Sequence, residues 1–425
     1  MNPVHEVTVL LDVLIPGGRI ADITLSDGVV RHIGASGQAD RKIRCSDKYV
    51  LPAGVDMHVH MRDGPQSRKE DWKTGTMGAL AGGVTVVVDQ PNTIPTVTTP
   101  ALLRERIRLA SGQTYCHFGI NAGVTPDADL EGMAQAGAMA FGETFAGPSS
   151  YGEELTREDL QKALCRIKKI EGLVTIHAEV VSQGEDTDLI THTRLRPASG
   201  ELEAVKMIKQ IAPEGTQIHF CHISSADTMA EIVSHQIGTI EVTPHHLFLA
   251  CEDFESEETY AKVNPPIRSE SERRRLMSSW DKIDVIGSDH APHTQKEKQE
   301  PFDHAPSGIP GVQTMIPLLM AEVLKGTWSL ESVIQKTSRA PSSILNIPPA
   351  GYQKGMRADF SVYPQETEVI VAENLYSKAG WTPFEGKTAV FPEIVVLGGR
   401  VSYELGEFNK GNPVWLQGRG YYHRA

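Results

Sequence analysis

Between residues 54 and 290 the chain alternates short apolar runs with longer amphipathic stretches, and it does so repeatedly. The runs are Val55–His60, Val84–Asp89, Cys116–Ala122, Ala138–Glu143, Leu173–Glu179, Gln217–Ile223, Thr239–Thr243 and Asp284–Asp289. Runs this short suit buried strands. Segments such as Arg157–Glu171, Glu201–Ile211, Ala226–His235 and Glu270–Lys282 read as the helices between them. Strand and helix repeated eight times over is the pattern of an α/β fold of the (β/α)8, TIM-like barrel type. A doubly wound open sheet is the competing arrangement, but no G-x-G-x-x-G turn follows any run to favour it.

The polar residues within the runs sharpen this reading. His58 and His60, Asn92, Glu143, His177, His222 and Asp289 stand at or just past the C-terminal ends of runs, which a barrel gathers on one face. In an extended strand, residues i and i+2 share a face, so His58 and His60 can grip one ion together. Arg62 follows on that face, where strand gives way to loop. A metal pair with a guanidinium beside it suggests hydrolysis of an anionic substrate. The net charge of −13 makes the same point from the other side, because an anion would need a local cationic pocket. It also argues against a nucleic-acid partner. No apolar run approaches the ~20 residues of a membrane span, and the N-terminus lacks a secretory signal. Five scattered cysteines with no C-x-x-C pair suit reduced thiols, so a cytoplasmic enzyme is expected.

The two ends of the chain read differently from the middle. Turn signals such as Pro16-Gly17-Gly18 and Ser26-Asp27-Gly28 separate short alternating strands before residue 50, and similar strands return after residue 352. Residues 1–50 and 352–425 are expected to join in one β-sandwich domain flanking a barrel of residues 51–351. The acidic segment Cys251–Val263 is expected to form a loop over the site.

Taken singly, each candidate reads as a hydrogen-bonded core histidine or a capping acid. Four histidines and a carboxylate at four strand ends read together as a metal centre. The ordered set is similar to the amidohydrolase superfamily and, within its cyclic amidases, most resembles the dihydroorotase family. Carrying the resemblance are Asp56–Asp63, Gln90-Pro91-Asn92-Thr93, the His177 and His222 runs, Lys262–Arg268, Gly287–His293 and Ala305–Gly308. Lys378–Gly386 resembles part of the family's C-terminal sandwich.

The resemblance implies one Zn²⁺ on His58, His60 and Asp289, and a second on His177 and His222. It implies a zinc-activated hydroxide attacking a ring amide, with Asp289 as general base and then acid. Run backwards, the steps cyclise N-carbamoyl-L-aspartate to dihydroorotate in pyrimidine biosynthesis. Arg62, Asn92 and His293 would hold the substrate carboxylate, with His60, Asn264, Ser307 and Gly308 as further contacts. A homodimer and association with an aspartate carbamoyltransferase are implied as well. His245 and His246 look like further ligands, but the family keeps them structural, and Cys221 reads as core.

The chain departs from the family at its fourth run. Many relatives carry a carboxylated lysine there, yet no lysine occurs between Lys73 and Lys162, and Ala138 falls at the lysine's place. Other relatives use an aspartate, and their Ala-Phe-x-Asp resembles Ala140-Phe141-Gly142-Glu143. Glu143 is therefore the expected carboxylate ligand, the plain alternative being a helix cap or salt bridge beside a single metal. Allantoinase or dihydropyrimidinase activity and a non-catalytic scaffold are the competing functions. Against the first stands Arg62, whose charge an uncharged ring would leave unpaired; against the second stands the complete ligand set.

Overall fold

The computed structural model describes residues 6–147 and 155–424. Among the described residues eight parallel strands lie in the middle of the chain: β1 (Gly54–Val59), β2 (Val84–Asp89), β3 (His117–Ile120), β4 (Phe141–Phe145), β5 (Leu173–His177), β6 (Gln217–Phe220), β7 (Thr239–Val242) and β8 (Val285–Ile286). One arc runs β1-β2-β3 and a second runs from β4 to β8. Two parallel bridges close the ring: Ala122 to Phe141 links β3 with β4, and His290 to Val59 links β8 with β1. Every residue of β2 is buried, as expected of a strand with side chains filling the barrel on one face and helices covering the other.

The helices form where their sequences carry the right ends. In Arg157–Lys169, Thr156 accepts a hydrogen bond from Asp159 N, acids occupy the first turn and bases the last. Its buried residues, Leu160, Ala163, Leu164 and Ile167, follow the i, i+3, i+4, i+7 stripe of a helix laid against a sheet. The helix Ala226–His235 has the limits expected from sequence, and Ala198–Ile211 begins one turn earlier than its apolar pattern suggests, directly after Pro197.

The fourth strand lies later than the sequence pattern indicates. Met139 N already donates to Ile120 O, but the regular ladder runs over Phe141–Phe145. Between Val174 and Ile176 of β5, the partner residues in β4 advance from Phe141 to Thr144, so β4 holds an extra residue. Such a bulge re-aims a side chain, here that of Glu143, and no alternation pattern reveals it.

Both chain ends supply strands to two packed sheets. One is ordered Val29–Ile33, Arg19–Ser26, Thr8–Ile15, Arg41–Arg44. The other pairs the early strand Tyr49–Pro52 with the late strand Phe360–Tyr363, followed by Ile394–Leu397, Arg400–Glu404 and Glu407–Phe408. Leu10, Ile23, Leu25 and Val50 share a core with Phe360, Val362 and Val396. Tyr363 points the other way and donates to Gly82 O of the barrel at 3.1 Å. Gly83 makes this contact possible: its φ is +86°, and a Cβ there would fall 1.9 Å from the Tyr363 hydroxyl.

The Lys378–Gly386 stretch does not join these sheets. Trp381 and Phe384 pack with Val263, Phe302 and Ile309, and the Trp381 indole donates to His293 O at 2.8 Å. The stretch braces the barrel mouth because its large aromatics find their apolar partners there. The Cys251–Val263 segment lies at the same end, shaped by two 3-10 turns and by Tyr260 packed edge-on against Trp381. All five cysteines are free thiols. Among the described residues no helix is long and apolar enough to cross a membrane.

Candidate metal centre

Asp56, His58 and His60 alternate along β1 onto one face, as strand geometry requires. Asp56 Oδ1 accepts from His58 N (3.2 Å) and from Ser288 N (3.1 Å), stitching β1 to the end of β8 that carries Asp289. Burial pushes the Asp56 carboxyl up to about 6, against the pull of Ser288.

Three of the four imidazoles, His58, His60 and His177, have one nitrogen occupied and the other turned inward. His58 Nδ1 lies 2.9 Å from Glu241 Oε1, leaving Nε2 between Glu143 Oε2 (3.7 Å) and Asp289 Oδ1 (3.5 Å). His60 Nδ1 lies 2.7 Å from Asn92 Oδ1, and its Nε2 is 3.1 Å from Asp289 Oδ1. His177 Nε2 meets Glu179 Oε2 at 3.1 Å while Nδ1 faces Glu143 Oε1 at 2.8 Å. His222 Nε2 reaches the same Glu143 oxygen at 2.7 Å. A carboxylate or amide behind His58, His60 and His177 fixes the tautomer and leaves a lone pair for a metal, whereas His222 Nδ1 is buried with no hydrogen-bond partner among the described residues.

These groups fit a divalent ion. His58 Nε2 is fully buried and has no hydrogen-bond partner among the described residues, although two carboxylates flank it. Two overlapping ligand triads form around it, His58–His60–Asp289 and His58–Glu143–His222. Imidazoles and carboxylates in such numbers are the donor set of zinc and its neighbours. Burial disfavours the charge on Glu143, but hydrogen bonds from His177 and His222, with the His58 ring close by, hold its carboxyl well below the usual range. Burial likewise works against a charged His177, yet Glu143 and Glu179 push that ring up to about 9. A bound cation would match the charge of so many buried carboxylates.

Other sequence candidates sort clearly. Cys221 lies beside His58 and Glu241, but burial pushes its thiol up to about 12, so it stays protonated. His246 is satisfied by Thr243 Oγ (2.8 Å) and Pro265 O (3.1 Å). Neither His245 nor His246 belongs to a ligand triad among the described residues.

A cationic recess lies next to these ligands. Arg62 is buried, its Nε donates to Pro292 O at 3.3 Å, and among the described residues no carboxylate lies within ion-pairing distance. Burial lowers its guanidinium to about 10. His293 is 3.2 Å from Arg62 through Nε2, and the same nitrogen is 3.1 Å from Ser307 O. Ser307 Oγ donates to Asn264 Oδ1 at 3.3 Å, and Gly308 N donates to Lys262 O at 3.0 Å. Arg62, His293, Asn264, Ser307 and Gly308 are thus brought together, while Asn92 meets the cluster through His60.

The residues behind the ligands were not singled out from sequence. Glu241 accepts from His222 N (3.1 Å) and meets His219 (3.3 Å) as well as His58. Arg106 pairs with Asp89 at 2.8 Å and donates to Arg62 O at 2.8 Å, anchoring the backbone that carries the guanidinium. The signal for Glu241 was a lone carboxylate inside the apolar strand Thr239-Ile240-Glu241-Val242. Arg106 gave none, being one of several bases on its helix.

The barrel and its histidine–carboxylate mouth define a metal-dependent hydrolase, and the chain belongs to the amidohydrolase family, whose model matches residues 49–378. Within that family it is similar to the dihydroorotase of Methanosarcina acetivorans, at 36% identity over 95% of this chain and 93% of that protein. The dihydroorotase of Halobacterium salinarum is 32% identical over 93% of this chain and 96% of its own. In fold it is similar to the L-hydantoinase (dihydropyrimidinase) of Arthrobacter aurescens, with a TM-score of 0.87, 24% identity, and coverage of 97% of this chain and 98% of that one.

Proposed function

We propose that this chain is a zinc-dependent dihydroorotase, interconverting N-carbamoyl-L-aspartate and (S)-dihydroorotate in pyrimidine biosynthesis. The observation that carries the reading is Arg62, a buried guanidinium with no carboxylate within ion-pairing distance among the described residues, two residues past His60. Dihydroorotate brings a ring carboxylate to such a group, whereas dihydrouracil brings none and would leave the charge unpaired. The similarity to archaeal dihydroorotases over nearly the whole chain supports the same choice.

His58, His60 and Asp289 would hold one zinc ion, and His177 and His222 a second, with Glu143 in place of the carboxylated lysine. Ions so bound supply a positive charge beside the amide carbonyl and lower the pKa of a water. Asp289 takes the proton of the attacking water and delivers it to the ring nitrogen as the C–N bond breaks. Its carboxyl suits the first step, because His58 and His60 lower its pKa despite burial. Arg62, Asn92 and His293 bind the carboxylate, and Asn264, Ser307 and Gly308 orient the ring edge, so the amide carbon is fixed before the bond is attacked. Homodimerisation and association with an aspartate carbamoyltransferase belong to the same reading.

The test is ring opening of dihydroorotate by zinc-loaded protein, with dihydrouracil and allantoin assayed alongside. Turnover of dihydroorotate alone is expected. Turnover of another ring, or of none with metal bound, would overturn the assignment.

A further inference from the structure

His293 stands between two cations. Its Nδ1 is 3.1 Å from Lys69 Nζ, and its Nε2 is 3.2 Å from a terminal nitrogen of Arg62. A lysine ammonium only donates, so Nδ1 must be the accepting nitrogen. Burial, with Arg62 and Lys69 nearby, keeps the His293 pKa well below its ordinary value, so the ring is neutral and carries one proton. That proton sits on Nε2, where Ser307 O accepts it at 3.1 Å. Arg62 therefore meets an N–H and not a lone pair. In that tautomer the Arg62 nitrogen 3.2 Å away gains no acceptor from His293, and its N–H is left for the oxygen of a carboxylate.

We propose that Lys69 is a positioning residue for this recess: by donating to His293 Nδ1 it fixes the Nε2–H tautomer, so that Nε2 cannot accept from Arg62 and the guanidinium keeps its donors for the incoming carboxylate, with the Nε2 proton shared between Ser307 O and that carboxylate. The inference rests on the reading above, that the recess takes a substrate carboxylate. Lys69 is itself held in place. Its Nζ is 3.2 Å from Glu297 Oε1, which favours the ammonium form against burial and Arg62, the influences that lower the Lys69 pKa. Glu297 in turn accepts from Thr294 N (3.1 Å) and Thr294 Oγ (2.9 Å) at the start of the Gln295–Lys298 helix. The alternative carboxylate oxygen for an Nδ1 proton, Glu297 Oε2, is 4.0 Å from that nitrogen. Without Lys69 the ring is free to move its proton to Nδ1, and Nε2 then accepts from Arg62, closing the recess on itself.

The test is a double-mutant cycle on zinc-loaded enzyme, using Lys69→Met, His293→Gln and the pair. Lys69→Met is expected to raise KM for dihydroorotate about tenfold with kcat within about threefold, and to add nothing once His293 is Gln. The same KM increase in both backgrounds, a loss confined to kcat, or no change at all would overturn the proposal. Ring ¹⁵N spectra of the zinc-loaded protein supply a readout independent of turnover: a bare Nδ1 on His293 in the wild type, protonated in Lys69→Met. A wild-type Nδ1–H would overturn it equally. Wild-type protein inert toward dihydroorotate would remove the functional reading alone, and the spectra would still decide the role of Lys69.

Discussion

Glu241 Oε1 lies 2.9 Å from His58 Nδ1, and so decides which nitrogen of that ring faces the ligand cluster. Replacing Glu241 by Gln keeps the shape and removes the charge. Zinc affinity is expected to fall roughly 10- to 100-fold, read by competition with a chelator. Unchanged affinity would show that His58 needs no partner behind it.

Glu143 meets both His177 and His222 through one oxygen, at 2.8 and 2.7 Å. Glu143→Ala is expected to lower zinc bound per chain and to cut ring opening by roughly 100-fold or more. Glu143→Asp should recover part of both. Metal content by atomic emission, with activity on the same samples, checks this; full stoichiometry and rate in Glu143→Ala would remove it from the ligand set.

Arg62→Met tests the recess. Losing a charge-assisted bidentate contact of about 2–3 kcal/mol predicts a fall in kcat/KM of roughly 30- to 150-fold, most of it in KM. Zinc content should not change. An equal fall in kcat with KM untouched would place Arg62 in the chemical step instead.

Stability at the mouth should depend on acid pH. Burial works against a charged Glu297, but Thr294 N, the Thr294 hydroxyl and Lys69 lower its carboxyl from 4.5 to about 2. The folded state therefore binds the proton less readily than the unfolded chain. The contribution is complete above pH 4.5 and is lost as pH falls toward 2. Wild type should exceed Glu297→Gln by about 1–2 kcal/mol at pH 6, allowing for solvent screening, and the urea midpoints should converge only as the pH approaches about 2.

Gly83→Ala tests the joint between barrel and sheets. A Cβ 1.9 Å from the Tyr363 hydroxyl, at a φ of +86°, cannot be accommodated without movement. The expected cost is about 2–4 kcal/mol in urea unfolding. Activity per folded molecule should survive at 25 °C, since the joint lies away from the ligands.

The regular part of the molecule was legible because period and termini report burial directly. The eight runs and the helices at Arg157 and Ala226 follow from apolar spacing and capping residues, and the clustering of the candidate ligands from their place at strand ends. What escaped has physical causes. The extra residue in β4 leaves no mark on composition, so the strand was placed early and the aim of Glu143 had to await three dimensions. Glu241 and Arg106 act through partners far away in sequence, which no local window contains. The likeness of the Lys378–Gly386 stretch to a sandwich region points to the sheets, whereas its aromatic side chains settle where apolar surface is open, above His293.

The pairing of Tyr49–Pro52 with Phe360–Tyr363 imposes an order on biosynthesis. The Tyr352 hydroxyl donates to Val50 O across 302 residues of chain. The early strand leaves the ribosome with its hydrogen-bonding edge open and finds its neighbour only after the entire barrel has been made. Closure of that sheet is thus a late event with a high loop-closure cost, and a chain ending before residue 360 would expose the edge to pairing with other molecules.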